Sequence, residues 1–427
     1  MKKLLYVVLD GLGDRPIKDL GDKTPLEAAN TPKMDGLAKS AKLGYVYTVG
    51  KNIAPESDVA VISILGYDAK KYYTGRGPLE SYAEGLDVRE GDLAYRVNFA
   101  TREGSSRKII DRRVGRNLTT DEATILAKEV NEKVKLGGAS FIFKNTIGHR
   151  GILVIRKDSG KLSAEVTNTD PAYDKEGVYG VAKATFEKVI QKAEPTEEYK
   201  NSLAAKDAAR LTNEFVEESS RVLENCEVNK KRKAEGKLIG NLILTRDGGD
   251  RLPKFPKIGD MLNIKMGCFV EMPVEKGIAL LTGMEIVKLP LPSKDLKKDY
   301  ELRAQKVIEA MKAYDALYIH IKGPDEPAHD GDHAKKKDSI ELIDKYFFGN
   351  LLPKLDLENT IITVTADHST PCDMKAHSAD PVPLMISGKG FSPDGIGAFS
   401  EEAARRGSLG ALQGNELMKI FISFLKK

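Results

Sequence analysis

The chain has 427 residues, 41% of them hydrophobic and 30% charged, which is more than one hydrophobic core ordinarily organises and predicts two domains. Its 67 basic and 63 acidic side chains leave a formal net charge of +4, too balanced for bulk electrostatic binding of nucleic acid. Three cysteines, Cys226, Cys268 and Cys372, are odd in number and widely spaced, pointing to neither a disulfide framework nor a cysteine zinc site.

At the start of the chain LLYVVLD reads as a buried strand ending at Asp10. The run is too short to span a bilayer or to act as a signal peptide, so a cytoplasmic protein without membrane partners is expected. A glycine-rich turn follows. In APESDVAVISILGYD, residues Pro55, Glu56 and Ser57 resemble a helix start, with Val59, Ile62 and Leu65 as an apolar stripe; Ser57 is thereby placed at a helix N-terminus. From about Tyr82 to Val181 the texture changes to shorter strand-like runs, LAYRVNFAT, SFIFKN and GILVIR, dense in arginine (Arg96, Arg102, Arg107, Arg112, Arg113, Arg116, then His149-Arg150). A smaller α+β domain inserted over 81–179 is expected, leaving 1–80 and 180–427 as the main domain.

Val178 to Cys226 reads as helical, with Ala204, Ala208, Leu211, Phe215, Val222 and Cys226 as its stripe. The basic run Lys230 to Lys233 reads as a solvated helix end rather than a nucleic-acid patch. Strand and helix then alternate: GNLILTRDGGD and GIALLTG as strands, Tyr300 to Met311 as a helix, ALYIHIK as a strand. An amphipathic helix marked by Ile340, Ile343, Phe347 and Leu351 follows, then strands TIITVTAD and VPLMISG and a terminal helix from about Asn415. This order predicts an α/β fold with a doubly wound, mostly parallel sheet.

Three of the strands end in polar clusters: Asp10; Asp325 and His329, four apart in a loop; and Asp367-His368, followed by His377. The chain has only six histidines. In open α/β sheets ligands bind beyond the carboxyl ends of the strands, where residues distant in sequence converge. Mixed carboxylate and imidazole donors without cysteine suit Mn, Co, Zn or Mg and are unlike a calcium site. His320 reads as an in-strand residue and His333 as a helix start, while Glu326, Asp330 and Lys322 are left open as supporting groups. Ser57 alone would be an ordinary helix cap. Beside a metal, whose charge lowers the hydroxyl pKa, it becomes a nucleophile for phosphoryl transfer, with helix N–H groups favouring the phosphoryl oxygens.

Taken together VVLDGLGDRP, APESDVAVISILGYD, HIKGPDEPAHDGD and TVTADHSTPCDMKAHSADPVP resemble the archaeal type of 2,3-bisphosphoglycerate-independent phosphoglycerate mutase, within the alkaline phosphatase superfamily, over nearly the whole chain. The resemblance implies an alkaline-phosphatase-like fold and two divalent metal ions. It implies that Asp325, His329 and His377 hold one ion, and that Asp10, Asp367 and His368 hold the other with Ser57 Oγ as nucleophile. It further implies that the phosphoryl group of 3-phosphoglycerate passes to the serine, that the glycerate reorients without leaving, and that the group returns to the 2-hydroxyl. No bisphosphoglycerate takes part, and the setting is glycolysis and gluconeogenesis.

A trianionic phosphoglycerate needs several cationic partners. Candidates are Arg112, Arg113 and Arg116 in DRRVGRN, His149 and Arg150 in IGHRG, Arg246 and Arg251 in LTRDGGDR, and Lys276 in MPVEKGIALL; the last two segments are similar to substrate-binding stretches of the longer bacterial relatives. Keeping glycerate in and water out calls for closure, with the insert as lid. Hinges are expected near 73–86 and 169–181, where Gly75, Gly77, Gly85, Gly177 and Gly180 cluster. The competing readings are a phosphopentomutase, a phosphomonoesterase or phosphonate hydrolase of the same superfamily, and a non-catalytic sensor of phospho-metabolites, which need not keep a nucleophile at a metal. Assembly into a homo-oligomer is left open.

Overall fold

Apolar runs bounded by glycine, proline and polar residues become strands along the whole chain: β1 (Lys3–Leu9), β2 (Ala41–Tyr47), β3 (Leu93–Arg102), β4 (Ile109–Asp111), β5 (Ala139–Asn145), β6 (Arg150–Lys157), β7 (Tyr173–Glu176), β8 (Tyr179–Ala182), β9 (Leu242–Gly249), β10 (Met266–Phe269), β11 (Glu285–Ile286), β12 (Ala316–Ile321), β13 (Thr360–Thr365), β14 (Val382–Ser387) and β15 (Gly410–Gln413). The computed structural model describes residues 2–425 apart from 177, 178, 184, 291, 294 and 391. The chain divides into two compact units, 1–72 with 254–427, and 73–253.

The first unit is an α/β layer structure around a sheet in the order β11-β10-β12-β1-β13-β14-β2-β15. Only β14 runs antiparallel to its neighbours; the remaining pairs are parallel. The central strands β12 and β13 are buried along their whole length, which is why they read as unbroken apolar runs rather than alternating ones. Register positions the site. Val8 lies opposite both His320 and Thr365, so β12, β1 and β13 end level and their following loops leave the sheet along one edge.

GIALLTG, expected as a strand, is part of the helix Pro273–Thr282. Proline at the first helical position starts it, the Met272 N–H donates to Glu275 (3.4 Å), and Gly283 at φ 81° ends it. A short apolar run does not distinguish a buried helix from a strand, and here the flanking caps decide.

The second unit is α+β. Its five-stranded antiparallel sheet runs β4-β3-β6-β5, with β9 also paired to β3, and β7 and β8 form a separate hairpin. The helix Leu203–Glu224 lays Leu211, Phe215 and Leu223 on this sheet, with the Phe215 ring 5.1 Å from Phe141 and 6.1 Å from Phe143. The unit boundaries therefore fall at 72/73 and 253/254 instead of 80/81 and 179/180: β9 completes the sheet and the long helix supplies its core, so neither belongs to the first unit.

Helix begins only at Leu203, capped by Ser202, while Tyr179–Ala182 is strand; Gly177 and Val178 lie outside the described residues. Lys230, Lys231 and Lys233 of the basic run are exposed at a helix end, as expected, but Arg232 is not. The run sits on a separate helix, Glu227–Ala234, where Arg232 is 1% exposed and donates to Glu122 (2.8 Å) and to the Leu238 carbonyl (2.8 Å). No helix among the described residues is long and apolar enough to cross a membrane.

Candidate metal centre

The loops after β1, β12 and β13 bring the acidic and imidazole side chains of the first unit together. Asp10 follows β1 and is buried, as are Asp367 and His368 after β13. Gly11 lies between them at φ 62°; a Cβ there would stand 2.6 Å from Asp325 Oδ1, so only glycine fits, and its N–H donates to Asp367 Oδ1 at 3.1 Å. Asp325 and His329 sit on a short helix, Asp325–Asp330, not on the loop expected from the sequence. Pro324 precedes it and Gly331, at φ 78°, ends it. One helical turn puts carboxylate and imidazole on the same face, with Asp325 Oδ2 3.5 Å from His329 Nε2.

The histidines share one arrangement. His329 Nδ1 is 3.0 Å from the Lys375 carbonyl, His377 Nδ1 2.8 Å from the Pro55 carbonyl, and His368 Nδ1 3.0 Å from Thr370 Oγ1. Each ring is thus held by one nitrogen and presents Nε2 inward, as metal-ligating imidazoles do. His329 Nε2 and His377 Nε2 are 3.2 Å apart, and His377 Nε2 is 3.7 Å from Asp325 Oδ1. The His368 and His377 rings stack at 3.7 Å. Thr370 joins the two halves, since it also donates to Asp325 Oδ1 at 2.8 Å.

These residues fit divalent cations. Asp325, His368 and His377 form one group of donor atoms within 4.8 Å of one another, and Asp10, His320 and Asp367 form another. Asp10 Oδ1, Asp367 Oδ2 and His320 Nε2 are buried without a hydrogen-bond partner, a costly state that a cation relieves. Burial and the neighbouring Asp10 push the Asp367 carboxyl up to about 7. Burial also opposes ionisation of Asp10, but Lys322, at 3.0 Å, and His320 outweigh it and hold that carboxyl well below its ordinary range. Thiols play no part: Cys372 is buried, and burial with the nearby Asp14 pushes it up to about 12.

Ser57 opens the helix Ser57–Ile64 at its first helical position, with Glu56 as the capping residue and no side-chain cap hydrogen bond. Its hydroxyl is therefore not used in capping. It lies 3.2 Å from His368 Nε2, at the helix end whose N–H groups favour anionic oxygens.

The second unit carries the arginines. Arg112 makes a two-pronged contact with Asp170 (2.7 and 2.6 Å), and Arg246 Nη1 reaches the same carboxylate at 2.9 Å; the Arg246 guanidinium also lies 4.4 Å from the Tyr173 ring centre. Arg113 is half-buried, and burial with Arg116 lowers its pKa; Arg116 is exposed. Arg76 and Arg96 share Glu80, at 2.6 and 3.5 Å. Burial and then Arg76 push Arg96 down to about 10. Arg150 is part-buried. Arg251 is instead spent on Asp250 (2.7 Å) with its side chain 55% exposed. Lys276 belongs to the first unit, partly buried on the helix Pro273–Thr282.

His149 stands in the arginine cluster as a neutral ring: burial, then Arg150, Arg113, Arg246 and Arg116, push it down to about 4. A free imidazole titrates near ~6.5. The neutral ring's contribution to stability is complete above that value and is lost as pH falls from there towards 4. Between pH 7 and pH 5 the thermal midpoint of the wild type should fall further than that of His149→Gln; equal falls would refute the assignment.

Glu275 escaped the sequence reading, His320 was read only as an in-strand residue, and Lys322 was left open as a supporting group. His320, Lys322 and Glu275 converge on Asp10: His320 Nε2 is 3.7 Å from Asp10 Oδ1, and Lys322 Nζ is 3.0 Å from Asp10 Oδ2 and 2.6 Å from Glu275 Oε1. The signal was Tyr318, His320 and Lys322 at period two in an otherwise apolar strand, one face of the pleat. Asp170, Arg76 and Glu80 had no local signature.

The chain is similar to known proteins along its full length. A family model described as 2,3-bisphosphoglycerate-independent phosphoglycerate mutase matches residues 38–229. The 2,3-bisphosphoglycerate-independent phosphoglycerate mutase of Aeropyrum pernix is 43% identical over 418 residues, covering 96% of this chain and 96% of that one. Its counterpart from Thermococcus kodakarensis is 38% identical, covering 100% and 98%. Among solved structures, a Pyrococcus horikoshii protein superposes with a TM-score of 0.79 at 31% identity, covering 100% of this chain and 97% of that one. The cofactor-independent phosphoglycerate mutase of Thermoplasma acidophilum gives 0.65 at 31% identity, covering 100% of both. With this identity along its full length, the chain belongs to the 2,3-bisphosphoglycerate-independent phosphoglycerate mutase family.

Proposed function

We propose that the protein interconverts 3-phosphoglycerate and 2-phosphoglycerate without bisphosphoglycerate, through a phosphoseryl intermediate on Ser57, as a cytoplasmic enzyme of glycolysis and gluconeogenesis. The observation that carries the reading is Ser57 itself: a hydroxyl free of capping duty at a helix N-terminus, 3.2 Å from a buried imidazole. In this reading Asp325, His329 and His377 hold one divalent ion, and Asp10, Asp367 and His368 hold the other together with Ser57 Oγ. Mn, Co, Zn or Mg fits the oxygen and nitrogen donors. Bound there, the ions would lower the serine pKa and neutralise charge on the transferring group.

The chain's own residues carry the steps. Ser57 Oγ bonds to phosphorus as the bond to the 3-oxygen breaks, the serine proton passing to that oxygen; the 2-hydroxyl of the same glycerate then displaces Ser57 Oγ from phosphorus and its proton returns to Ser57 Oγ, so the serine is regenerated. Lys322, pinned between Asp10 and Glu275, keeps positive charge beside the reacting phosphoryl group. Within the second unit, Arg112, Arg113, Arg116, Arg150 and Arg246 with neutral His149 are assigned to an anionic group of the substrate, carboxylate or phosphate. Lys276 and the exposed Arg251 are retained as weaker members of that assignment.

The reading is tested by 31P NMR. Metal-loaded protein given 3-phosphoglycerate alone should produce 2-phosphoglycerate, and a chelator should stop it until Mn or Co is restored. Inorganic phosphate as the sole product would make the protein a hydrolase instead.

A further inference from the structure

His320 was expected to be an ordinary in-strand residue, and it does lie in β12, fully buried. Its ring nevertheless repeats the arrangement of the other three site histidines. Nδ1 is occupied by the Tyr318 hydroxyl at 3.2 Å, with Glu275 Oε1 at 3.4 Å. Nε2 points at Asp10 Oδ1 (3.7 Å) and Asp367 Oδ2 (3.5 Å), too far for hydrogen bonds, and all three atoms are without a partner. These same atoms form a compact donor group within 4.8 Å of one another. A neutral imidazole whose Nδ1–H faces Glu275 directs its Nε2 lone pair at two carboxylates. In this tautomer three acceptors converge on one point, an arrangement that a bound cation satisfies.

We infer that His320 is a metal ligand in this protein, its Nε2 joining Asp10 and Asp367 around one cation while Glu275 and Tyr318 fix the ring. The inference rests on the two-metal reading given above and enlarges it: His368 Nε2 is also 3.5 Å from Asp10 Oδ1 and 3.3 Å from Asp367 Oδ2, so this cation draws on two imidazoles, two carboxylates and the Ser57 hydroxyl. A five-donor set disfavours tetrahedral zinc and suits Mn or Co.

The test is proton NMR of the Co(II)-loaded protein in water, where each imidazole bound through Nε2 contributes one strongly shifted, exchangeable Nδ1–H signal. Four such signals are expected, from His320, His329, His368 and His377. His320→Gln should remove one of them and weaken one of the two Co(II) sites by about 100-fold or more, the upper end of what even an outer partner of a ligand costs. Two bound ions with only three signals in the wild type would overturn the inference and leave the two-metal reading standing. So would His320→Gln that binds both ions with unchanged affinity and spectrum. Failure of the wild type to bind any Co(II) would instead remove the two-metal reading and this inference with it. The wild-type count decides the matter even if the variant does not fold.

Discussion

Ser57→Ala should lower mutase turnover by about 10⁴- to 10⁶-fold, the scale on which hydrolases lose rate when their nucleophile is removed, while the fold and most of the metal binding survive. Stability should survive because the Ser57 hydroxyl makes no cap hydrogen bond and Glu56 holds the capping position, so the substitution stays within the roughly ±0.5 kcal/mol of an ordinary non-core change. Metal binding should survive because the remaining donors are carboxylates and imidazoles held from elsewhere: Asp367 by the Gly11 N–H, His368 by Thr370 and His377 by the Pro55 carbonyl. Turnover, metal content and melting are therefore expected to separate cleanly. Mass spectrometry of wild-type protein quenched during turnover should place a phosphoryl group on the peptide containing Ser57. A variant retaining a tenth of wild-type turnover would end the phosphoseryl reading, whatever its metal content.

The parts of this site that the sequence announces are those governed by chain-local rules. Asp10, Asp325, Asp367 and His368 follow apolar runs, and β1, β12 and β13 are neighbours with level registers, so the strand-end rule alone gathers them. The four-residue spacing of Asp325 and His329 signals a shared helical face, although the segment looks like a loop. What stays hidden depends on tertiary choices. Glu275 was lost because GIALLTG has no period that separates helix from strand, and the deciding cap lies outside the apolar run. His320 was discounted because sequence shows that a strand is buried but not which face turns to the acids. The arginines of 73–253 were legible as a cluster. Their partition was not: Asp170, distant in sequence, claims Arg112 and Arg246, while Arg251 drops out to the surface. The later boundary at 253/254 has the same origin, since pairing of β9 with β3 is a long-range event.

Lys336→Met should be the most damaging single change to the stability of the first unit, costing about 3–5 kcal/mol, the usual penalty for stripping one partner from a buried ion pair. The Lys336 side chain is 0% exposed and spends all three of its donors: on Asp14 Oδ2 (2.9 Å), the Gly13 carbonyl (3.0 Å) and the Thr370 carbonyl (3.0 Å). One ammonium thus ties the helix His333–Leu342 to the loop after β1 and to the loop after β13, the two loops that carry Asp10, Asp367 and His368. Methionine matches the length of the stem but leaves a buried carboxylate and two carbonyls with a donor missing. Asp14 keeps only partial compensation from the Cys372 N–H, at 3.2 Å, and from the Arg15 N–H, at 2.8 Å. Pairing Lys336→Met with Asp14→Asn removes the stranded charge, so the double variant should be more stable than the sum of the single losses predicts. Because the freed loops carry the proposed ligands, Lys336→Met should also weaken metal binding, which the stability loss alone would not require if metal is titrated well below the unfolding transition. Urea denaturation of the metal-free chain and calorimetric titration of Mn measure the two effects separately. A single variant within about 1 kcal/mol of wild type, the typical cost of an arbitrary substitution, would show that Lys336 fills space between these loops without holding them.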